Sequence, residues 1–391
     1  MKSESSRRAF LASGMALPVA AAAMPAARPS ASPLPEPVAS LAAAPEVRYR
    51  VLGKTGLKVS SVGFGCMVTS DPSVIARAAD MGINFFDTAR VYGGGNNERM
   101  VGAALKDRRK QLIISTKSMS KTRAEAETHL DTSLRELGTD YIDIWYLHKM
   151  DSGSQITDEL LEAQQAAKKA GKIRFAGVST HAGHDTVFPV AVKSGKVDVI
   201  LTTYNFAMNR QLIEPLIKSA TDAGIGVVAM KVMAGSFPLP GIADSARERI
   251  KRPGVALSAL KWTLRNPSIV PIPSMTDTDQ LEQNFTAMTA PFGPADEKLL
   301  AAQLDYIRPL YCRMCGQCKG TCPQGLPVAD MLRILTYADG YGQFPLARER
   351  FMELPSHARS VRCDLCPTCS VECPNGVQVS TRLARAQELF A

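Results

Sequence analysis

Between residues 61 and 290, short apolar stretches bounded by Gly, Asp or Lys alternate with amphipathic stretches, and eight such pairs follow one another. Short, continuously apolar strands that alternate with helices indicate a parallel sheet buried on both faces. Eight repeats predict an α/β fold in which the strands close into a (β/α)8 TIM barrel. The predicted strands are Ser61–Cys66, Asn84–Thr88, Leu112–Lys117, Ile142–His148, Arg174–Ser179, Val197–Tyr204, Gly226–Lys231 and Ile269–Pro273, with helices such as Thr122–Leu137 between them.

A doubly wound open sheet is the alternative fold, and it usually carries a glycine-rich turn after its first strand to hold a pyrophosphate. Gly63-Phe64-Gly65-Cys66 lacks the third glycine at the required spacing. Gly93-Gly94-Gly95 follows the second predicted strand, and we interpret it as a loop. The sequence therefore favours a barrel over residues 46–295, followed by a separate segment at 296–391.

The first 45 residues have a different character. Arg7-Arg8 precedes an Ala-rich apolar stretch that runs through Ala23, which is the layout of a twin-arginine export signal. The stretch contains Pro18 and is shorter than the about 20 apolar residues of a membrane span. An uncleaved anchor or a disordered tail is the alternative. We expect residues 1–45, with 14 Ala and 7 Pro, to be a signal and flexible linker for the twin-arginine machinery. The mature protein is then periplasmic and has no stable membrane span.

Eight of the nine cysteines form two copies of the pattern Cys-x2-Cys-x2-Cys-x3-Cys-Pro. Three thiolates at this spacing can surround one corner of an iron–sulfur cubane, while the fourth ligates the other cluster in two-cluster ferredoxins. The segment resembles the bacterial two-cluster ferredoxin domains, and it is expected to be small and α-rich. One 4Fe-4S cluster is predicted on Cys312, Cys315, Cys318 and Cys373. A second 4Fe-4S cluster is predicted on Cys363, Cys366, Cys369 and Cys322.

Two other readings of these cysteines exist. Zinc occupies sites made of four cysteines, and exported proteins form disulfides. Neither requires the same spacing, with its proline, to occur twice. Export by a route that carries folded cargo also agrees with cluster insertion in the cytoplasm. Between the two motifs, residues 327–341 and 344–354 are predicted to form short amphipathic helices.

Four polar residues lie at or just after the ends of predicted strands, where barrel enzymes place their chemistry. They are Asp87, Tyr92, Lys117 and His148. These residues resemble the signature of the aldo-keto reductase family, which has Asp-Thr-Ala-x-x-Tyr-Gly, Lys and His elements in this order.

In the carbonyl reduction that the resemblance implies, a carbonyl that accepts a hydride needs a proton at its oxygen, and a phenol with a pKa of about 10 becomes a better acid beside an ammonium group. We therefore predict that Tyr92 is the acid and that Lys117 lowers its pKa. Asp87 would pair with Lys117, and His148 would donate a hydrogen bond to the substrate oxygen.

The resemblance covers residues 47–290 and includes Tyr49–Ser61, which is similar to the hairpin that closes the bottom of those barrels. It implies an oxidoreductase that acts on a small-molecule carbonyl with NAD(P)H. It also implies that Ser179 contacts the nicotinamide carboxamide and that Asn284 contacts the adenine.

The resemblance is incomplete around the cofactor. The family's amide-binding Gln, nicotinamide-stacking aromatic, and phosphate-binding Lys and Arg are replaced, in that order, by Leu201, Met230, Ser274 and Gln280. A 2′-phosphate without a basic partner is poorly held, so the sequence does not favour NADP over NAD. Leu201 and Met230 are equally compatible with core packing in an altered pocket.

Together these patterns predict an exported iron–sulfur oxidoreductase of the aldo-keto reductase type that works with a redox partner protein. The alternative is an electron-transfer protein whose barrel binds a ligand or a protein without turnover, and a further alternative is that the clusters are only structural. The net charge of +9 is spread along the chain, so a nucleic-acid partner is not predicted.

Overall fold

Eight parallel strands form one sheet in the computed structural model, which describes residues 46–237, 254–366 and 368–390. Consecutive strands are hydrogen-bonded neighbours. The first and last strands are joined as well, because Gly63 donates its N–H to Pro271 O and Gly65 donates to Pro273 O, each at 2.9 Å. The sheet therefore closes on itself, as the predicted barrel requires.

Each barrel strand overlaps a predicted one. The strands are β3 (Phe64–Gly65), β4 (Phe85–Asp87), β5 (Ile113–Ser118), β6 (Ile142–Leu147), β7 (Ile173–Thr180), β8 (Val199–Thr203), β9 (Gly226–Met230) and β10 (Ile269–Pro271). An antiparallel hairpin of β1 (Tyr49–Val51) and β2 (Lys58–Ser60) precedes them, as the resemblance implied.

Amphipathic helices follow the strands and cover the outer face of the sheet. Local capping sets their ends: the Thr122 hydroxyl accepts the Glu125 N–H at the start of α3, and Gly138 ends that helix in the left-handed conformation. These helices are α1 (Pro72–Asp80), α2 (Asn96–Leu105), α3 (Arg123–Leu137), α4 (Asp158–Lys169), α5 (His184–Ser194), α6 (Arg210–Asp222), α7 (Val255–Leu264), α8 (Thr278–Thr286) and α9 (Pro294–Ile307).

The hairpin closes the end of the barrel at which the strands begin. Leu52 belongs to the apolar cluster that fills the barrel interior together with buried residues such as Tyr146. Gly53 has a φ of +52°, and a Cβ there would lie 2.4 Å from the backbone nitrogen of Gly226. Only glycine fits this position, which brings the hairpin against the start of β9.

The C-terminal segment has an apolar cluster of its own around Met331, Leu335 and Phe351. Its two cysteine motifs are joined where Lys319 and Glu372 exchange backbone hydrogen bonds of 2.9 and 3.0 Å. The two helices predicted between the motifs are confirmed. The helices of this segment are α10 (Val328–Asp339), α11 (Phe344–Met352), α12 (Ser356–Ser360) and α13 (Val379–Phe390).

This segment packs against the barrel end at which the strands finish. Lys149, which follows β6, forms an ion pair with Asp330 of α10 at 2.9 Å. Arg350 of α11 donates a hydrogen bond of 2.9 Å to Val91 O, in the loop after β4. The barrel and the C-terminal segment belong to one compact unit, so residues from both can line the barrel mouth.

The predicted export signal and linker, residues 1–45, lie outside the described residues. In the ranges that the structure describes, no helix combines the length and the apolarity that crossing a bilayer requires.

Candidate active site

Lys117 and Asp87 form a buried ion pair at the mouth of the barrel. Lys117 Nζ donates to Asp87 Oδ1 at 2.5 Å and to Thr88 O at 2.6 Å. The hydroxyl of Ser115 donates to the other carboxylate oxygen of Asp87 at 2.6 Å. Lys117 Nζ also lies 3.4 Å from the Tyr92 hydroxyl oxygen. Asp87, Lys117 and Tyr92 therefore come together as predicted.

A glycine loop carries Tyr92 to this position. Gly93, Gly94 and Gly95 have φ angles of 54°, 58° and 93°, which residues other than glycine rarely adopt. The loop begins with Tyr92, whose N–H donates to Ala89 O at 3.0 Å. The three glycines therefore turn the chain immediately behind Tyr92, and their interpretation as a loop is confirmed.

His148 lies beside Tyr92, with the two ring centres 6.1 Å apart and the ring planes at 83°. Its Nδ1 is buried and has no hydrogen-bond partner in the described part of the chain. Burial lowers the pKa of His148 well below its ordinary value, and the charge of Lys117 acts in the same direction. His148 is therefore a neutral imidazole at neutral pH, with a single N–H that can donate to a ligand.

The electrostatic effect on Tyr92 differs from the prediction. Burial lowers the pKa of the Lys117 ammonium, but Asp87 and Tyr92 raise this pKa by more. The pKa of Lys117 is therefore raised from its ordinary value. Burial also raises the pKa of the Tyr92 phenol, and the opposing effect of Lys117 is smaller. The expectation that Lys117 brings this pKa below that of a free phenol is wrong in net direction, because burial disfavours the phenolate more than one ammonium favours it. Tyr92 is a protonated phenol at neutral pH.

A cavity of about 360 Å³ opens beside Tyr92. Asp87 and Tyr92 line one part of its wall, and Asn284 of α8 lines another part. The C-terminal segment contributes Tyr341 and Gln343 to the same wall. The cavity is therefore shaped by both parts of the chain.

The residues that the sequence predicts around the cofactor do not all reach the cavity. Asn284 and Met230 line the cavity. Ser179 does not, because it is fully buried and its hydroxyl accepts the Lys149 N–H at 3.0 Å. Leu201 packs in the barrel interior. Its surroundings therefore support the interpretation of Leu201 as a core residue.

Three residues at the mouth were not assigned to the site from the sequence. His181 and Lys231 line the cavity and follow β7 and β9 directly, so the rule that barrel chemistry lies after strand ends points to both. Tyr341 comes from the distant C-terminal segment, and no local pattern indicates its position.

The cysteines of the C-terminal segment fall into two groups. Burial and the neighbouring thiols of Cys318, Cys315 and Cys373 raise the pKa of Cys312 to about 12. Burial and the thiols of Cys366, Cys322 and Cys369 raise the pKa of Cys363 to about 11. The fourth cysteine of each motif is thus grouped with the other motif, and no cysteine is in a disulfide in the described residues. Across that part of the chain, no three His, Cys, Asp or Glu side chains are arranged to hold a single metal ion.

Comparison with known proteins identifies the family of the barrel. The sequence profile of the aldo/keto reductase family matches residues 70–249. The chain is 32% identical to L-galactose dehydrogenase of Arabidopsis thaliana over 284 residues, in an alignment that covers 62% of this chain and 89% of that protein. The chain belongs to the aldo/keto reductase family. It is also 28% identical to probable aldo-keto reductase 1 of Glycine max, over 63% of this chain and 85% of that one.

Solved structures of aldo-keto reductases share this fold. The holo form of an aldo-keto reductase from Bacillus halodurans matches with a TM-score of 0.56 at 27% identity, covering 66% of this chain and 96% of that chain. The chain described here is therefore an oxidoreductase of the aldo-keto reductase type.

Proposed function

We propose that this chain is an exported iron–sulfur oxidoreductase that reduces a carbonyl, or oxidises an alcohol, with Tyr92 as the general acid or base. The observation that carries the proposal is the buried contact of Lys117 with both Asp87 and Tyr92 at the cavity wall. The C-terminal segment of the same chain holds two groups of four thiols. A catalytic centre and candidate electron carriers therefore share one polypeptide.

Each residue of the site has a separate task in the reduction. Tyr92 delivers the proton to the carbonyl oxygen, where negative charge develops. The ammonium of Lys117, 3.4 Å from the hydroxyl, stabilises the phenolate that remains. Asp87 holds that ammonium in place. His148 is neutral and adjacent to Tyr92, so its N–H can hold the carbonyl oxygen during the transfer.

A nicotinamide dinucleotide, NAD(P)H, is the proposed hydride donor, and when bound it supplies both electrons of the reduction at once. Asn284 would hold its adenine end, since Asn284 lines the cavity that reaches Tyr92. A relative from Schizosaccharomyces pombe, aldo-keto reductase yakc, carries NADP(+) in its name and is 26% identical to this chain over 308 residues.

Each of the two groups of four cysteines suits one 4Fe-4S cluster. Each thiolate of a cubane binds a different iron at a different corner, so its four sulfurs enclose a larger volume than the ligands of one ion. The amide of Asn375 also donates to Cys315 Sγ at 3.3 Å, and Met314 N–H donates to Cys312 Sγ at 3.4 Å. Such donors stabilise negative charge on cluster sulfurs and influence the reduction potential.

The number of electrons that each centre transfers indicates a further redox partner. Hydride chemistry moves two electrons, whereas each cluster passes one at a time. A redox partner protein that exchanges electrons with the clusters is therefore part of the proposal. The alternative is an electron-transfer protein whose barrel binds a ligand without turnover, and the replacements at Leu201, Met230, Ser274 and Gln280 favour it.

Anaerobic purification followed by iron and sulfide analysis tests the proposal. We expect about eight iron atoms per chain, a visible spectrum that NADH or NADPH bleaches, and turnover of small aldehydes or ketones. Stoichiometric zinc without visible absorbance would contradict the cluster assignment. Iron without turnover from NADH, NADPH or a chemically reduced dye would support the electron-transfer alternative.

Export makes a separate prediction. Arg7→Lys combined with Arg8→Lys is expected to leave the iron-loaded protein in the cytoplasm, because the arginine pair is the element that the export receptor reads. Cell fractionation with an antibody against the chain measures this, and Lys2→Arg is the control outside the pair. Equal export of the double variant and the parent would show that another route is in use.

A further inference from the structure

A small side pocket of about 10 Å³ adjoins the cavity at the barrel mouth. Lys231, which follows β9, and Tyr341, which follows α10, line both spaces. The other lining residues of the side pocket come from β8, from the chain after α9 and from α10. A pocket of this volume holds a group about as large as one water molecule. One end of a ligand that lies in the cavity can therefore enter it.

The wall of the side pocket is positively charged. Lys231, Arg313 and Arg333 line it, and no Asp or Glu among the described residues does. Arg333 forms an ion pair of 2.9 Å with Asp330, which Lys149 also contacts at 2.9 Å. Neither Lys231 nor Arg313 has a carboxylate within ion-pair distance in the part of the chain that the structure describes. Cations therefore outnumber carboxylates around this pocket.

Two buried polar atoms of the side pocket have no hydrogen-bond partner within the described ranges. They are Thr203 Oγ1, at the end of β8, and Arg333 Nε. Thr203 is only 2% exposed. Buried hydroxyl and guanidinium groups are nearly always hydrogen-bonded, because an unpaired buried donor is unfavourable. Both groups are donors, so an acceptor oxygen from a ligand would supply the partner that they lack.

The ammonium of Lys231 is held in place by aromatic rings and by its backbone. Its Nζ lies 4.9 Å from the centre of the Tyr337 ring, 5.7 Å from that of Tyr341, and 3.5 Å from the Tyr337 hydroxyl oxygen. The φ of Lys231 is +58°, which residues other than glycine rarely adopt, and Asn205 stabilises this conformation by donating to Lys231 O at 3.0 Å. Contacts with ring faces do not neutralise a cation, so the ammonium can still bind an anion.

The adjoining cavity also accepts a negatively charged ligand. Asp87 is the one acidic residue on the described part of its wall, and the buried ion pair with Lys117 neutralises it. Lys231 is the one Lys or Arg residue on that wall. Tyr92 lines the same cavity of about 360 Å³. A single small molecule can therefore contact both Tyr92 and Lys231.

We propose that the substrate carries a carboxylate, which Lys231 and the side pocket bind while the carbonyl group lies at Tyr92. The substrate class is then the oxo acids, which are aldehydes or ketones with a carboxylate on the same molecule. A planar carboxylate suits a pocket of about 10 Å³ better than the bulkier phosphate does. The inference rests on the proposed function of Tyr92. The carboxylate itself does not react, because the hydride goes to the carbonyl carbon and the proton to the carbonyl oxygen.

A pair of substrates tests the proposal with the iron-loaded full chain. The aldehyde groups of para-carboxybenzaldehyde and its methyl ester have similar reactivity, but only the acid is charged. We expect the KM of the parent for the acid to be about 10- to 100-fold lower than for the ester, because a hydrogen bond to a charged group is stronger than one to a neutral group. Lys231→Met should raise the KM for the acid by this factor and leave kcat and the KM for the ester unchanged.

Two further variants control the test. Lys231→Arg keeps the positive charge and should keep the preference for the acid. Lys58→Met is the matched control, because Lys58 also lies over an aromatic ring, at 5.2 Å from the centre of the Tyr49 ring, but in the hairpin at the opposite end of the barrel. This control should keep the KM of the parent for both substrates.

Several results would overturn the carboxylate site. An equal KM for the acid and the ester in the parent does so without any variant, and so does an acid preference that persists in Lys231→Met. A higher KM for the dinucleotide in Lys231→Met, with an unchanged acid preference, would show that Lys231 binds a cofactor phosphate. A changed visible spectrum with an unchanged acid preference would show that Lys231 serves the iron–sulfur clusters instead.

A binding measurement separates this inference from the proposed function. Calorimetry with para-carboxybenzyl alcohol and its methyl ester needs no turnover, and we expect the acid to bind more tightly to the parent but not to Lys231→Met. If this difference is found and Tyr92→Phe keeps full activity, the carboxylate site is supported and the proposed function fails. If Tyr92→Phe loses activity and the acid binds no better than the ester, the carboxylate site alone is excluded.

Discussion

Tyr92→Phe is expected to lower the rate of carbonyl reduction by about 10²–10⁴-fold, which is the usual contribution of a positioned general acid. The variant removes one hydroxyl and keeps the ring that packs edge-on against His148. The Asp87–Lys117 ion pair does not need this hydroxyl, because Lys117 Nζ also donates to Thr88 O. The fold and the binding of nicotinamide should therefore remain, and steady-state turnover of small aldehydes and ketones measures the loss.

Tyr141→Phe is the matched control for this variant. Tyr141 lies just before β6, at the opposite end of the barrel, where the guanidinium of Arg109 packs on its ring at 4.0 Å. Removing its hydroxyl should leave kcat and KM at the parental values. Undiminished turnover in Tyr92→Phe, with the control also active, would exclude Tyr92 as the proton donor.

The order of elements and much of the site could be predicted because each depends on local sequence. Alternating apolar and amphipathic stretches determine the eight strands, and Asp87, Lys117 and His148 come together because parallel strands end at one face of a barrel. The hairpin at Gly53 and the glycine loop behind Tyr92 also have local causes, since both need backbone conformations that favour glycine.

The features that the sequence did not predict depend on contacts between distant parts of the chain and on burial. Tyr337 meets Lys231 across 106 residues of sequence, and no periodicity indicates that α10 packs at the barrel mouth. The net direction of the Tyr92 pKa depends on how deeply the phenol is buried, which strand ends do not reveal. The sequence therefore located Tyr92, the proposed proton donor, but it did not indicate that burial outweighs the charge of Lys117 in setting the pKa of this phenol.

Paired cysteine variants test the proposal that the chain binds two 4Fe-4S clusters in a crossed arrangement. If Cys322 ligates the cluster of the second motif, Cys322→Ala and Cys363→Ala damage the same cluster. The double variant should then lose about four of the about eight iron atoms, which is no more than either single variant loses. Cys322→Ala combined with Cys312→Ala damages both clusters and should lose nearly all iron. Iron analysis of anaerobically purified protein measures the three cases.

The opposite pattern would identify sequential ligation, in which each motif holds its own cluster. In that case Cys322→Ala with Cys312→Ala would spare about four iron atoms, and Cys322→Ala with Cys363→Ala would remove nearly all. Cys66→Ala is the control, because Cys66 is fully buried in the barrel beside β3, outside both motifs, and should leave the iron content unchanged. The grouping of Cys322 with Cys363, Cys366 and Cys369 favours the crossed result, because a thiol can ligate only the cluster that it faces.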